Sequence, residues 1–207
     1  RRAGISRFIN ISSSSIYAGV RDRLLSEDMP LSPPHPYGVG KLAGEHYARI
    51  YYELYGLPFV TLRYFSVYGP RQLGDIDKAG VIAKFIYCAF SYKPLTIYGN
   101  GEQKRNFTYV SDVTDLTIKA SEVDSAIGKT INLANPNEVS INYLVEIIKK
   151  ILGEELKIEY LPPIKGDPPR NPADISRLKE VLGASLKVNF EEGIRRTIDW
   201  YQSTIRN

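Results

Sequence analysis

The sequence predicts an α/β fold, and three observations carry that prediction. Short apolar, β-branched runs at residues 8–11, 59–64, 95–98, 130–133 and 156–161 read as strands. Longer stretches at 36–55, 81–90, 112–123 and 140–153 read as helices. The two kinds of segment alternate along the chain instead of clustering in blocks, the pattern of an α/β domain.

Taken in order, residues 1–7 read as the last turn of a helix, with Gly4 as its stop. The run 8–11 is a buried strand that ends abruptly in the hydroxyls Ser12, Ser13, Ser14 and Ser15. Residues 20–36 are a polar loop rich in Asp, Glu, Ser and Pro. Pro36 has a fixed φ that suits a first helical turn, and the helix it opens runs through Tyr55 to a stop at Gly56. Leu57-Pro58 restarts the chain into the strand 59–64, Gly69-Pro70 ends that stretch, and 71–80 is a polar loop. Residues 81–90 form a mostly buried helix. The stretches 95–98 and 105–110 read as strands around the turn Gly99-Asn100-Gly101. A helix at 112–123 and a strand at 130–133 follow, and Ser140 caps a helix that ends at Gly153. The strand 156–161, a Pro-rich loop at 162–172, and short helices at 175–182 and 191–203 complete the chain.

Composition narrows the function. The 207 residues are 43% hydrophobic and 24% charged, as expected of a water-soluble globular protein with one large or two small domains. No apolar run approaches the ~20 residues of a membrane span, and no signal peptide is visible, so a cytoplasmic protein is expected. Cys88 stands alone, which excludes an internal disulfide and a cysteine metal cluster, and two histidines, His35 and His46, make a zinc site improbable. The net charge of +4 is mild, and its Lys and Arg residues are scattered among acids, which argues against nucleic acid as a partner.

The chemistry is concentrated in Pro36-Tyr37-Gly38-Val39-Gly40-Lys41. On a helix, Tyr37 and Lys41 sit one turn apart on one face. A cation beside a phenol favours the phenolate over a proton normally held to about pH 10, and a phenol so placed can exchange a proton near neutral pH. By itself this pair is no more specific than any Tyr and Lys on an amphipathic helix. The serine run adds to it. In open α/β sheets ligands bind beyond the carboxyl ends of strands, where such hydroxyls can bond a substrate oxygen.

Four blocks together are far more specific. They are the hydroxyl-rich strand end, Pro-Tyr-Gly-x-x-Lys, Leu62-Arg63-Tyr64-Phe65-Ser66-Val67-Tyr68-Gly69-Pro70-Arg71-Gln72, and Ile97-Tyr98-Gly99-Asn100-Gly101-Glu102-Gln103-Lys104-Arg105-Asn106-Phe107-Thr108-Tyr109-Val110. In this order and spacing the chain resembles, over nearly its whole length, the extended short-chain dehydrogenase/reductase family in its NAD-dependent epimerase/dehydratase branch. The resemblance implies the later part of a Rossmann-type parallel sheet with helices on both faces, plus a smaller α/β substrate lobe. Residues 1–70 and 111–134 would form the NAD-binding lobe, and 71–110 and 135–207 the sugar-nucleotide lobe, with the site in the cleft between them. The glycine-rich turn that carries the cofactor pyrophosphate in this family is not found, and the chain opens without Met, so it reads as the later portion of a longer protein.

The resemblance also assigns roles. It implies NAD-dependent epimerisation of a nucleotide sugar at C4, of the UDP-glucose/UDP-galactose type, through a transient 4-keto intermediate. Tyr37 would take the proton of the sugar 4-hydroxyl as hydride leaves C4 for the nicotinamide. Lys41 would tune Tyr37 and hold the nicotinamide ribose, and Ser13 would bridge the sugar hydroxyl and Tyr37. Ser14 would touch substrate, Tyr64 the nicotinamide end, and backbone near Phe65 the sugar. Arg105 would hold the diphosphate, Tyr98 would pack on the nucleobase, and Asp167 would meet the ribose. A UDP-sugar substrate, a homodimer packed through the Tyr37 helix, and no metal, nucleic acid or membrane complete the expectation.

Departures sort the relatives. Resembling 4,6-dehydratases carry Asp-Glu, and decarboxylases a Glu, where Ser14 and Ser15 stand here. Without these carboxyls elimination lacks an acid/base pair, and epimerisation is favoured. Epimerases usually have Asn where Ser66 stands, and the family often has Arg before the Gly166-Asp167 of the Pro-rich loop; Ile164 cannot bind phosphate, and Lys165 or Arg170 would have to compensate. The competing readings are another nucleotide-sugar reductase or dehydratase of the same family, and a truncated homologue that acts only as a binding or assembly module.

Overall fold

In a computed structural model, the structure describes residues 2–20, 23–72, 79–163 and 171–205. Its centre is a three-stranded parallel sheet of β1 (Phe8–Ser13), β2 (Phe59–Tyr64) and β7 (Lys129–Leu133), with β2 in the middle. Phe8 pairs with Phe59 and Ser13 with Tyr64 across β1 and β2, and Tyr64 pairs with Leu133 across β2 and β7. A central parallel strand is covered on both faces and reads as a continuous apolar run, which is why Phe-Val-Thr-Leu-Arg-Tyr is buried from Phe59 through Arg63.

Helices flank this sheet. α1 (Pro36–Tyr55) has Pro in its first turn, His35 as N-cap, and Gly56 in the left-handed conformation at its C-terminus. α3 (Val110–Glu122) and α5 (Ser176–Leu182) contribute Val113, Leu116, Leu178 and Leu182 to a core with Val60, Leu62, Ile131 and Leu133. Burying each such side chain contributes roughly 1.5–3 kcal/mol.

A second core lies on α2 (Val81–Phe90), α4 (Ile141–Leu152) and α6 (Phe190–Ile205), where Ile82, Phe85, Ile86, Leu144, Ile148, Ile194 and Ile198 are buried. The short parallel pair β4 (Leu95–Tyr98) and β9 (Ile158–Leu161) closes it. Ser140 caps α4 as expected, accepting from the Tyr143 amide at 3.1 Å.

Several expectations are corrected. Residues 2–7 hold a turn and no helix, with Gly4 at φ +61. β1 extends two residues further than 8–11, through Ser12 and Ser13, because the backbone of β2 continues to pair with it. The stretches 95–98 and 105–110 do not form a hairpin. β4 pairs in parallel with β9, while 105–110 splits into β5 (Lys104–Arg105) and β6 (Thr108–Tyr109). β5 runs antiparallel to β8 (Val139–Ser140), and β6 parallel to β3 (Val67–Tyr68). These two-residue strands are too short for a periodic signal, and their partners lie far away in sequence. α3 starts at Val110 instead of 112, and α6 is longer than 191–203.

Candidate active site

The serine run divides where the strand ends. Ser12 and Ser13 complete β1, and Ser14 and Ser15 begin a 3-10 turn, Ser14–Tyr17. Ser13 is the hinge between the two. It is extended, and its hydroxyl oxygen accepts from the Ser15 amide at 3.2 Å as an N-cap. The hydroxyls of Ser12 and Ser15 are buried without a hydrogen-bond partner.

The first turn of α1 is pressed onto this tip. Nδ1 of His35 accepts from the Gly38 amide at 3.1 Å. A Cβ at Gly38 would lie 2.7 Å from the Pro33 Cβ and 3.1 Å from the Ser15 carbonyl oxygen, so only glycine lets the helix approach so closely. Tyr37 beside it is 59% exposed. Lys41, one turn on, donates from Nζ to the Ile11 carbonyl at 2.9 Å, and that Nζ stands 5.7 Å from the centre of the Tyr37 ring. The structure thus brings Ser13, Tyr37 and Lys41 to the carboxyl end of β1, the place where an open α/β sheet receives ligands.

Beneath the tip lies a polar cluster that the motifs did not single out. Arg63, buried in β2, donates from Nε to Glu45 Oε1 at 3.0 Å and from Nη2 to Glu45 Oε2 at 2.7 Å. Its Nη1 donates to the Tyr17 hydroxyl and to the Glu27 carbonyl. Tyr17 in turn donates to Asn132 Oδ1 at 2.9 Å, and the Asn132 amide donates to Glu27 Oε1 at 2.8 Å. Burial pushes the Tyr17 phenol up to about 12, with Arg63 pulling the other way. Burial also raises the Glu27 carboxyl above its ordinary range, against its hydrogen bond from Asn132. The sequence signal was an arginine inside an otherwise apolar strand, which must find a partner once buried.

A cavity of about 420 Å³ opens along the second core, lined by Ser66, Gln72, Tyr98, Gln103, Arg105 and Phe107 among others. Three expected substrate contacts, Ser66, Tyr98 and Arg105, therefore share one pocket. Tyr98 is 41% exposed, more than a core side chain. Arg105 donates from Nη1 to the Lys104 carbonyl at 2.8 Å. Ser66 takes a left-handed backbone, φ +36, rare for a residue with a Cβ. Gln72 and Gln103 belonged to the quoted motifs without being singled out. Gln103 Nε2 donates to the Tyr98 carbonyl at 2.9 Å and so braces the pocket wall.

The other expected residues are dispersed. Tyr64 is the sheet partner of Ser13, but its side chain turns to α3, where its hydroxyl and Thr117 Oγ1 are 2.6 Å apart. Burial raises that phenol above its ordinary range. Phe65 is 4% exposed, its ring packed 6.0 Å from Tyr17, so only its backbone is left to meet a ligand. Ser14 opens the 3-10 turn. Asp167, with Ile164, Lys165 and Arg170, lies outside the described residues. Among the described residues, no group of three His, Cys, Asp or Glu could hold a metal, and no helix is long and apolar enough to cross a membrane.

A Rossmann-type sheet with Ser, Tyr and Lys gathered at one strand end defines a short-chain dehydrogenase/reductase-like protein. Residues 1–134 match the family model "NAD dependent epimerase/dehydratase family", and the chain belongs to that family. It is 36% identical over 205 residues to the UDP-glucuronate 4-epimerase of Thermodesulfobacterium geofontis, covering 98% of this chain and 61% of that protein. Among solved structures, the UDP-N-acetylglucosamine 4-epimerase of Methanobrevibacter ruminantium, in complex with UDP-N-acetylmuramic acid, superposes with TM-score 0.92 at 36% identity, covering 98% of this chain and 65% of that one. The UDP-glucose 4-epimerase of Thermotoga maritima, with UDP-glucose, follows at TM-score 0.91 and 32% identity, covering 99% and 66%. The chain thus spans about three-fifths to two-thirds of the length of these three relatives.

Proposed function

We propose that the protein of which this chain is part interconverts C4 epimers of a UDP-sugar, with NAD as resident cofactor and a UDP-glucose/UDP-galactose type of substrate. The observation that carries this reading is the convergence of Ser13, Tyr37 and Lys41 at the tip of β1, with Lys41 fastened to the Ile11 carbonyl. The relatives described above act on different sugars at one carbon, which supports C4 chemistry more strongly than any single sugar.

The residues present fit the nicotinamide-ribose end of such a cofactor. Lys41 offers further N–H groups beyond the one given to Ile11, and the buried hydroxyls of Ser12 and Ser15 lack a partner. When bound, NAD supplies the oxidation of the C4 alcohol and its reversal. Tyr37 takes the proton from the sugar 4-hydroxyl and returns it. The Lys41 ammonium stabilises the negative charge on the phenol oxygen by Coulomb attraction. Ser13 donates a hydrogen bond to the substrate oxygen, and Tyr64, the sheet partner of Ser13, supports the floor of this end from β2. In the neighbouring pocket Arg105 holds the diphosphate with two parallel N–H bonds, Tyr98 lies against the nucleobase, and Ser66 and the Phe65 backbone approach phosphate and sugar. Ser14 and Ser15 carry no carboxyl to drive loss of water, which sets epimerisation ahead of dehydration.

The lobe division, 1–70 with 111–134 for NAD and 71–110 with 135–207 for the sugar nucleotide, goes with this reading, α5 crossing over to close the first core. So does a homodimer through α1, where Tyr47, Tyr51, Leu54 and Tyr55 form an exposed apolar face. Incubating the full-length protein with UDP-glucose, UDP-glucuronate and UDP-N-acetylglucosamine, and reading products by NMR, tests the proposal. A C4 epimer without net reduction of NAD is expected. A 4-keto-6-deoxy product would make it a dehydratase, and no product from any of them would leave a binding module.

A further inference from the structure

We propose that Arg63 is the positioning residue of this site: its guanidinium, clamped by Glu45 of α1 and bonded to Tyr17, sets where Tyr37 and Lys41 stand relative to Ser13. This rests on the functional reading above for the roles of those three residues.

The geometry is specific. Tyr37, Lys41 and Glu45 follow one another at intervals of four, so they form a single stripe along α1. The stripe runs from solvent to core: Tyr37 is exposed, Lys41 half-buried and Glu45 buried. At its inner end Arg63 meets both Glu45 oxygens, at 3.0 and 2.7 Å. A two-point clamp fixes the helix both along and around its axis, which a single contact cannot do. A slip of one residue along a helix is about 1.5 Å, and misplacing a reacting group by about 1 Å can cost on the order of 100-fold in rate.

The same guanidinium fixes the other half of the site. Tyr17 ends the 3-10 turn that Ser13 caps, and its hydroxyl is bonded to Arg63. Arg63 is also the sheet partner of Ser12 on β1 and of Asn132 on β7. One side chain therefore holds the serine-bearing turn and the Tyr-Lys helix to a common strand.

Stability alone does not require this ion pair. A buried pair loses hydration on both ions, and a well-packed apolar pair of similar volume often serves the fold as well or better. Two fully buried ions with matched forks are what a demand for fixed geometry selects.

The test replaces both partners, Arg63→Met with Glu45→Leu, in the full-length protein, leaving no unpaired buried charge. Leu144→Ala, in the second core, is the control for general destabilisation. Two readouts are used: steady-state kinetics with NAD and the UDP-sugar turned over, and acylation of Lys41 by acetic anhydride, followed by peptide mass spectrometry against the exposed Lys150. The double variant is expected to lose kcat by on the order of tenfold or more with KM little changed. Its Lys41, no longer held to Ile11, should acylate severalfold faster, and Leu144→Ala should show neither effect. A folded double variant with wild-type kcat and wild-type Lys41 labelling overturns the proposal. If no UDP-sugar is turned over, the functional reading falls, while Lys41 labelling still decides the positioning role. Should the double variant not fold, Arg63→Lys, which keeps a cation opposite Glu45 and loses the two-point clamp, carries the same comparison.

Discussion

Lys41 reaches back from α1 to donate a hydrogen bond to the Ile11 carbonyl at 2.9 Å, so the helix that bears Tyr37 is tied to the strand that ends in Ser13. A backbone oxygen is the anchor, which makes the tie insensitive to the side chain at position 11. The ammonium stays 5.7 Å from the Tyr37 ring centre, within reach of a cation–π contact.

Tyr37→Phe should remove turnover by about 10²–10⁴-fold while substrate affinity changes little, because the ring and its packing remain and only the proton carrier is lost. Steady-state kinetics beside calorimetric UDP-sugar binding checks this. An equal loss of affinity would argue against proton transfer as its role.

Gly38→Ala should be destabilising by about 1–3 kcal/mol, since the new methyl meets Pro33 and the Ser15 carbonyl and neither is a flexible side-chain end. Because the clash pushes α1 off the serine turn, kcat should fall as well. The neighbouring Gly40→Ala meets nothing within 4 Å and should be tolerated, so thermal melts of the pair give the comparison.

Ser66→Gly should stabilise the fold by about 1 kcal/mol by relieving a left-handed backbone, φ +36. It should also weaken UDP-sugar binding, since a polar side chain of the pocket lining is lost. Denaturant melts and binding titrations read the two opposed effects. Asn is among the non-glycine residues best suited to this backbone, so Ser66→Asn should be tolerated.

Glu27 supplies a pH dependence. Its folded carboxyl titrates above the ordinary 4.5, mainly through burial. The folded state therefore holds more protons than the unfolded state from about pH 4.5 upward, and stability falls as pH rises through the folded titration. Glu27→Gln keeps an acceptor for the Asn132 amide without a charge. Its thermal midpoint should exceed that of the unaltered protein by a margin that grows as pH rises from about 4.5 through the folded carboxyl's titration and is level above it. A margin constant from about pH 4.5 upward would show that the fold does not raise Glu27.

Some features needed no coordinates. Alternating runs announced strands and helices, Pro36 and Gly56 bracketed α1, and the spacing of Tyr37 and Lys41 placed both on one helical face. Such properties are local: propensity, capping and periodicity act within a few residues, and the chain spells them out. Family motifs reached further, since Ser66, Tyr98 and Arg105 do line one cavity.

Other features are decisions of the assembled structure. Nothing in residues 95–110 says that β4 will pair with β9 and not with its neighbour in sequence, because pairing is chosen by which backbone edge is brought near. The turning of Tyr64 away to Thr117 while Arg63, next to it, meets Glu45 follows from strand alternation once helices occupy both faces. The sequence determined which residues could do the chemistry. Only the tertiary packing decided that a buried guanidinium would gather their elements, since a charge removed from water takes whatever partner the fold delivers to it.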